Sequence, residues 1–190
     1  LNSMECIGCD FSELQLKKSN LWNYNMSKSN FTASNLVKSN FQGSNLSGSV
    51  FDESILNNSQ FQSVNLNNSS LLNLKAVVVN FIGASFIKAK LNNSDFRGSD
   101  MQSIEFTNGE AINANMKSVN FSGANLSNSN FSNSDLSGAN FTGANLKGVN
   151  FTGAMLKNTD FSGANLTDVQ LSNSILVNSI FLLSNLSNTN

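Results

Sequence analysis

The chain has 190 residues, only 12% of them charged, and a formal net charge of −1. It contains no histidine, which removes the most common general base and the most common metal ligand. We therefore expect the protein not to be an enzyme and to have no catalytic, cofactor-binding or metal-binding residues. Because no apolar stretch is long enough to cross a bilayer, we also expect no membrane partner.

Two cysteines lie near the amino terminus, in the sequence Cys6-Ile7-Gly8-Cys9. A C-x-x-C motif can be a redox pair or half of a zinc site, but no second cysteine pair follows and no helix pattern begins after it. In the five-residue register described next, both side chains point inward. We interpret them as packing residues at the amino-terminal end of the core, and a disulfide between them is left open.

From Phe11 to Leu186 every fifth residue is Phe, Leu, Met or Ala, and all fifteen phenylalanines fall in this one register. We name this position i; position i−2 is mostly small, i−1 is mostly Asn, and i+2 favours Gly and Asn. Positions i−2 and i have strand spacing, whereas Gly or Asn at i+2 tolerates positive φ. Each pentapeptide is therefore predicted to be a very short strand plus a corner, and such a short period is typical of coiled repeat architectures.

Segments such as Ala124-Asn125-Leu126, Ala139-Asn140-Phe141 and Ala164-Asn165-Leu166 resemble the A(D/N)LXX motif of the pentapeptide repeat protein family. The resemblance extends over roughly residues 4–190. It implies an all-β fold, a right-handed quadrilateral parallel β-helix with four pentapeptides in each coil. The chain would then form about nine coils, and the unbroken repeat predicts a single domain over residues 1–190.

Residues twenty apart are predicted to stack into columns inside this helix. In the middle of the chain one column shrinks to Ala111, while neighbouring columns enlarge, for example to Phe96 and Phe106. Close packing requires such compensation. Gly109, beside Ala111, has no obvious filler except Ile104, so we predict the weakest packing there.

Winding the chain also sorts its charges by face. The face that contains Leu16 and Leu36, here named the basic face, carries two acids, Asp95 and Asp135, against seven cations. Such a face can meet an acidic partner, but seven cations are sparse beside DNA, which carries one charge per ~1.7 Å, so we do not expect nucleic acid. The candidate partner-binding residues are Lys17, Lys18, Lys38, Lys75, Arg97, Lys117 and Lys157.

The last pentapeptides replace polar outward residues with aliphatic ones, and we select Ile180, Leu182 and Leu183 as candidate end-contact residues. A stack of coils exposes unpaired strand edges at its end, and no helix pattern follows that would cover them. We therefore expect either a partner there, with a second copy in a homodimer as the preferred one, or a cap that lies outside this sequence.

These features favour a non-catalytic scaffold or protein-binding rod that needs no cofactor and whose protein partner stays unidentified. The alternative comes from the family, because some members are thought to mimic DNA and bind DNA gyrase, which gives fluoroquinolone resistance. That resemblance implies an acidic stripe, interrupting loops and a carboxy-terminal dimer module, whereas this chain has no loops, no such module and at most five acids on one face.

The repeat also creates many Asn-x-Ser/Thr sequons, such as those at Asn30 and Asn125. In a secreted eukaryotic protein these sequons would invite heavy glycosylation. We therefore expect a bacterial protein that resides in the cytoplasm.

Overall fold

The computed structural model describes residues 4–190; the predicted domain also includes residues 1–3, which lie outside this range. Over the described range the chain forms no helix and no strand longer than a single bridge residue. Parallel β-bridges join i−1 positions that are twenty residues apart, from Glu5↔Asn25 to Asn165↔Asn185. Because each bridge partner lies twenty residues away, four pentapeptides complete one coil, and the chain is a four-sided parallel β-helix. The total of about nine coils stays a prediction.

Backbone hydrogen bonds tie each coil to the next with the same period. The N–H of Phe31 donates to the carbonyl oxygen of Val50 in the following coil (2.7 Å), and the N–H of Asn30 donates to that of Cys9 in the preceding coil (2.9 Å). Most corners are closed by a further bond, as where the N–H of Ser34 donates to the carbonyl oxygen of Phe31 (3.1 Å). The inner coils thus satisfy their backbone polar groups along the helix axis.

The corners lie where the sequence predicts them. Position i+2 has a positive φ throughout the described repeats, from 54° at Ala33 to 72° at Gly138. Gly and Asn suit this left-handed conformation. Two bulky apolar residues, Val78 (φ 56°) and Leu183 (φ 58°), also adopt it, which is uncommon for a β-branched residue such as valine.

The predicted columns form the core. Each i residue from Met26 to Leu166 is at most 1% exposed. The rings of Phe11, Phe31 and Phe51 are stacked nearly parallel, with centroid separations of 4.8 and 4.6 Å. The i−2 residues fill the space beside the columns; buried serines predominate in the first half of the chain, and alanine is the most frequent of several small buried residues in the second.

The predicted packing defect beside Gly109 is wrong. The ring of Phe106 lies directly over Gly109, so that a Cβ added to this glycine would overlap the ring. The same ring packs edge-on against Phe131, with 5.5 Å between centroids, and Phe131 is the residue one coil after Ala111. The space that two small residues leave is therefore filled by an aromatic ring from the adjacent face.

At some corners with a large residue at i−2, the direct backbone hydrogen bond across the corner is absent. A serine hydroxyl of the next coil then connects the two backbone groups. At Leu74 the N–H donates to Ser94 Oγ (2.9 Å), and this hydroxyl donates in turn to the carbonyl oxygen of Leu71 (2.6 Å). One buried hydroxyl thus replaces the direct bond between the two backbone groups of the corner. The same arrangement recurs with Ser29, Ser44 and Ser99.

Candidate interaction surfaces

The basic face contains two ion pairs that reduce its free charge. Arg97 Nη2 lies 2.7 Å from Asp95 Oδ2, and Arg97 Nε donates to Asp95 Oδ1 at 2.9 Å. Lys117 Nζ lies 2.9 Å from Asp135 Oδ2. Both acids of this face are therefore engaged by two of its seven cations.

Both acids hold their negative charge. Burial raises the pKa of Asp95, but hydrogen bonds from Arg97 and the charges of Arg97 and Lys75 outweigh it and leave that pKa below its usual value. Burial likewise raises the pKa of Asp135, and hydrogen bonds from Ser137 and Lys117 outweigh it. The two ion pairs therefore persist at neutral pH, and Arg97 and Lys117 offer less charge to a partner than the sequence suggests.

The remaining cations concentrate toward the amino-terminal half of the face. All five side chains are exposed, and within residues 4–190 none of them forms an ion pair. Four lie in the first half of the chain and one in the last quarter. They are Lys17, Lys18, Lys38, Lys75 and Lys157.

Outward aliphatic residues alternate with these lysines. Val37, Ile55 and Val77 point outward on the same face and are half-buried, and Val78 at its corner is 56% exposed. The signal was present in the sequence, because these residues occupy the outward positions i−1, i+1 and i+2. We name this surface, from Lys17 to Val78, the amphipathic half of the basic face.

The structure contains an open surface groove of ≈ 410 Å³ on its corner regions. Its lining residues are Asn68, Ser69, Ser70, Leu72, Lys88 and Lys90. The described residues contain no group of three or more His, Cys, Asp or Glu side chains that could hold a metal ion. They also contain no helix that is long and apolar enough to span a bilayer.

The last coil exposes several large aliphatic side chains. The last coil, residues 171–190, carries no charged side chain. Ile180, Leu182 and Leu183 are 51%, 66% and 88% exposed. Within the described chain the N–H groups of Leu176 and Phe181 have no backbone acceptor, unlike those of the i residues in earlier coils.

The amino-terminal end carries a disulfide between Cys6 and Cys9. Both cysteines are partly buried, in agreement with their predicted inward direction. The structure thus decides the question that the sequence left open, since the pair is covalently joined as well as packed at the end of the core.

The pentapeptide repeat family matches most of this chain. Its description is "Pentapeptide repeats", and eight copies are found. The matched residues are 9–48, 34–73, 79–102, 103–133, 114–153, 134–169 and 164–190.

Solved structures of QnrB1 show the same architecture. A trypsin-treated variant of QnrB1, a plasmid-mediated fluoroquinolone resistance protein, is 18% identical and has a TM-score of 0.56, with 90% of each chain covered. HetL, a pentapeptide repeat protein involved in heterocyst differentiation regulation in the cyanobacterium Nostoc sp., is 22% identical with a TM-score of 0.43, covering 99% of this chain and 89% of HetL. Comparison with curated protein sequences finds no match. The chain therefore belongs to the pentapeptide repeat family and folds as a right-handed quadrilateral parallel β-helix.

Proposed function

We propose that the chain is a single-domain, non-catalytic rod that binds another protein through the amphipathic half of its basic face. One observation carries this proposal: four exposed lysines without ion pairs lie on one side of the rod and alternate with outward aliphatic residues. Lysines attract an acidic surface and set its orientation, while the aliphatic residues give it apolar area to contact.

The backbone under this face is already ordered, which lowers the entropic cost of binding a partner. Every pentapeptide of the inner coils is held by hydrogen bonds to the coils before and after it. Such a surface is already ordered, so little conformational entropy is lost when a partner docks. A partner with an acidic, partly apolar surface fits this face best.

A filled interior supports the non-catalytic part of the proposal. The i residues of the inner coils are at most 1% exposed, so the core has no room for a substrate. Catalysis needs a concave site with converging polar groups, and the groove beside Lys88 and Lys90 offers two amines on an open corner.

The DNA-mimic alternative has less support from the charges. The face that contains Phe11 and Phe31 carries five acids and Lys90 over its whole length. DNA presents one charge per ~1.7 Å, a much denser array. The likeness to QnrB1 concerns the fold, and fluoroquinolone resistance is a property of QnrB1.

A matched pair of charge reversals tests the basic face. We expect the triple variant Lys17→Glu, Lys38→Glu, Lys75→Glu to bind fluorescent poly-glutamate at least about tenfold more weakly than the unmodified protein at low salt. The control is Lys28→Glu, Lys88→Glu, Lys147→Glu, which makes the same change in net charge on the opposite face and should weaken binding by only about twofold.

Equal losses in the two triple variants would show that net charge alone matters and would contradict the proposed face, as would an unmodified protein that does not bind. A DNA gyrase supercoiling assay with the same three proteins addresses the alternative. We expect no inhibition; inhibition that persists in both variants would instead support the DNA mimic.

We also propose that two copies associate through their carboxy-terminal ends. The last coil exposes the aliphatic side chains of Ile180, Leu182 and Leu183 and carries no charged side chain. A second copy offers the same uncharged, partly aliphatic surface, which can cover these side chains. The first coil carries Glu13, Lys17 and Lys18 and is poorly suited to cover this apolar end. Two carboxy-terminal ends related by a twofold axis therefore make the better contact.

Light scattering at micromolar concentration tests this association. We expect a dimer for the unmodified protein and a monomer for the variant Leu182→Lys, Leu183→Lys, because four buried ammonium groups would repel at the interface. Leu14→Lys, Trp22→Lys makes equivalent changes at the other end, where both residues are exposed, and should stay dimeric. A monomeric unmodified protein would rule the dimer out.

A further inference from the structure

The disulfide between Cys6 and Cys9 has no part in the proposed protein-binding function. It spans one corner of the first described pentapeptide. The chain has no other cysteine, so this bond can exchange only with a thiol from another molecule. Its neighbours Met4 and Ile7 are 50% and 54% exposed, so such a thiol can approach the bond from this surface.

The corner that contains the disulfide lacks the direct backbone bond that closes most others. Two corners later in the same coil, the N–H of Ser19 donates to the carbonyl oxygen of Leu16 (3.2 Å). At the cysteines, the N–H of Cys9 instead donates to Ser29 Oγ (3.1 Å), and this hydroxyl donates to the carbonyl oxygen of Cys6 (2.9 Å). The disulfide is therefore the direct link across this corner.

The first described pentapeptide is also bound to one neighbouring coil only. The N–H of Cys6 donates to the carbonyl oxygen of Asn25 (2.8 Å), and the N–H of Gly8 donates to that of Ser27 (2.9 Å). If this pentapeptide detached, two carbonyl groups of the next coil would lose their partners and the buried side chain of Met26 would be uncovered. Such an edge can accept a strand from another chain.

We propose that Cys6–Cys9 is a reversible redox site, at which a dithiol protein reductant opens the first pentapeptide and thereby exposes the strand edge of the following coil. One thiolate of the reductant attacks a sulfur of the disulfide and forms a mixed disulfide, and the second thiolate resolves it. The reductant leaves as a disulfide, and Cys6 and Cys9 leave as two thiols, so two electrons and two protons are transferred.

Because the disulfide closes a short loop, we expect its reduction to affect the structure only locally. A disulfide stabilises a protein mainly by reducing the conformational entropy of the unfolded chain, and this stabilisation grows with the length of the closed loop. Cys6 and Cys9 are three positions apart, so reduction should release this corner and leave the rest of the helix folded. Reversibility also agrees with the cytoplasmic location predicted from the sequence, where protein disulfides are usually transient.

Hydrogen–deuterium exchange of the full chain tests the site. Oxidised protein is compared with protein reduced by thioredoxin, and mass spectrometry verifies complete reduction before exchange begins. We expect exchange at the Cys6 and Gly8 amides to accelerate at least about tenfold on reduction, because local opening governs their protection. Amides of the inner coils, such as Phe81 and Phe121, should not change.

The variant Cys6→Ser, Cys9→Ser serves as the permanently open control. In this variant the backbone amides at position 6 and at Gly8 should exchange as rapidly as in the reduced protein. Their exchange should not change when reductant is added. Unchanged exchange at Cys6 and Gly8 after full reduction would overturn the proposal. So would a native protein that thioredoxin reduces only under conditions that unfold the whole helix.

Discussion

Ser94→Ala should lower the free energy of unfolding by roughly 2–4 kcal/mol, because it leaves two buried backbone groups without partners. The Ser94 hydroxyl accepts from the N–H of Leu74 and donates to the carbonyl oxygen of Leu71, and its residue is 1% exposed. In this corner the N–H of Leu74 does not bond directly to the carbonyl oxygen of Leu71. Urea-induced unfolding followed by circular dichroism measures the loss.

Ser34→Ala is the matched control. Ser34 is also a fully buried serine at position i−2, but its hydroxyl has no hydrogen-bond partner. Removing an unpaired buried hydroxyl should leave stability unchanged or raise it by up to about 1 kcal/mol. If the two substitutions have equal effects, the bridging role of Ser94 is wrong.

Gly109→Ala should destabilise the protein by about 1–3 kcal/mol, as overpacking typically does, even though alanine is common at the same position of other repeats. The backbone is not the cause, since Gly109 does not have a positive φ. The added methyl group would overlap the ring of Phe106, and this ring is held in place by its contact with Phe131. Thermal and urea unfolding of the single variant measure the cost.

A double-mutant cycle separates this steric cause from a general effect of the site. In the presence of Phe106→Leu, which removes the ring, Gly109→Ala should cost less than about 0.5 kcal/mol or become stabilising, because the two residues are in direct contact. Additive costs of the two substitutions would show that the ring does not limit the site.

The candidate surfaces were only partly predictable. Four pentapeptides per coil, which the resemblance to the pentapeptide repeat family implies, place Lys17, Lys38 and Lys75 on one face. The ion pairs of Arg97 and Lys117 do not follow from this placement, because they depend on the rotamers of long side chains and on the positions of Asp95 and Asp135. The net charge of the face can be counted from the sequence, whereas the identity of its paired cations cannot.

The sequence by itself determined the architecture. A five-residue period with an apolar residue at i and Gly or Asn at i+2 predicts short strands joined by corners, and the resemblance to the pentapeptide repeat family implies four of them in each coil. The observed corners and bridges confirm both. Only the tertiary structure decided how the exceptions are accommodated. The ring of Phe106 turns over Gly109, Ser94 bridges the corner at Leu74, and Cys6 is joined to Cys9. A repeat pattern specifies which residues stack, whereas these contacts depend on side-chain directions and on space left by neighbours in adjacent coils.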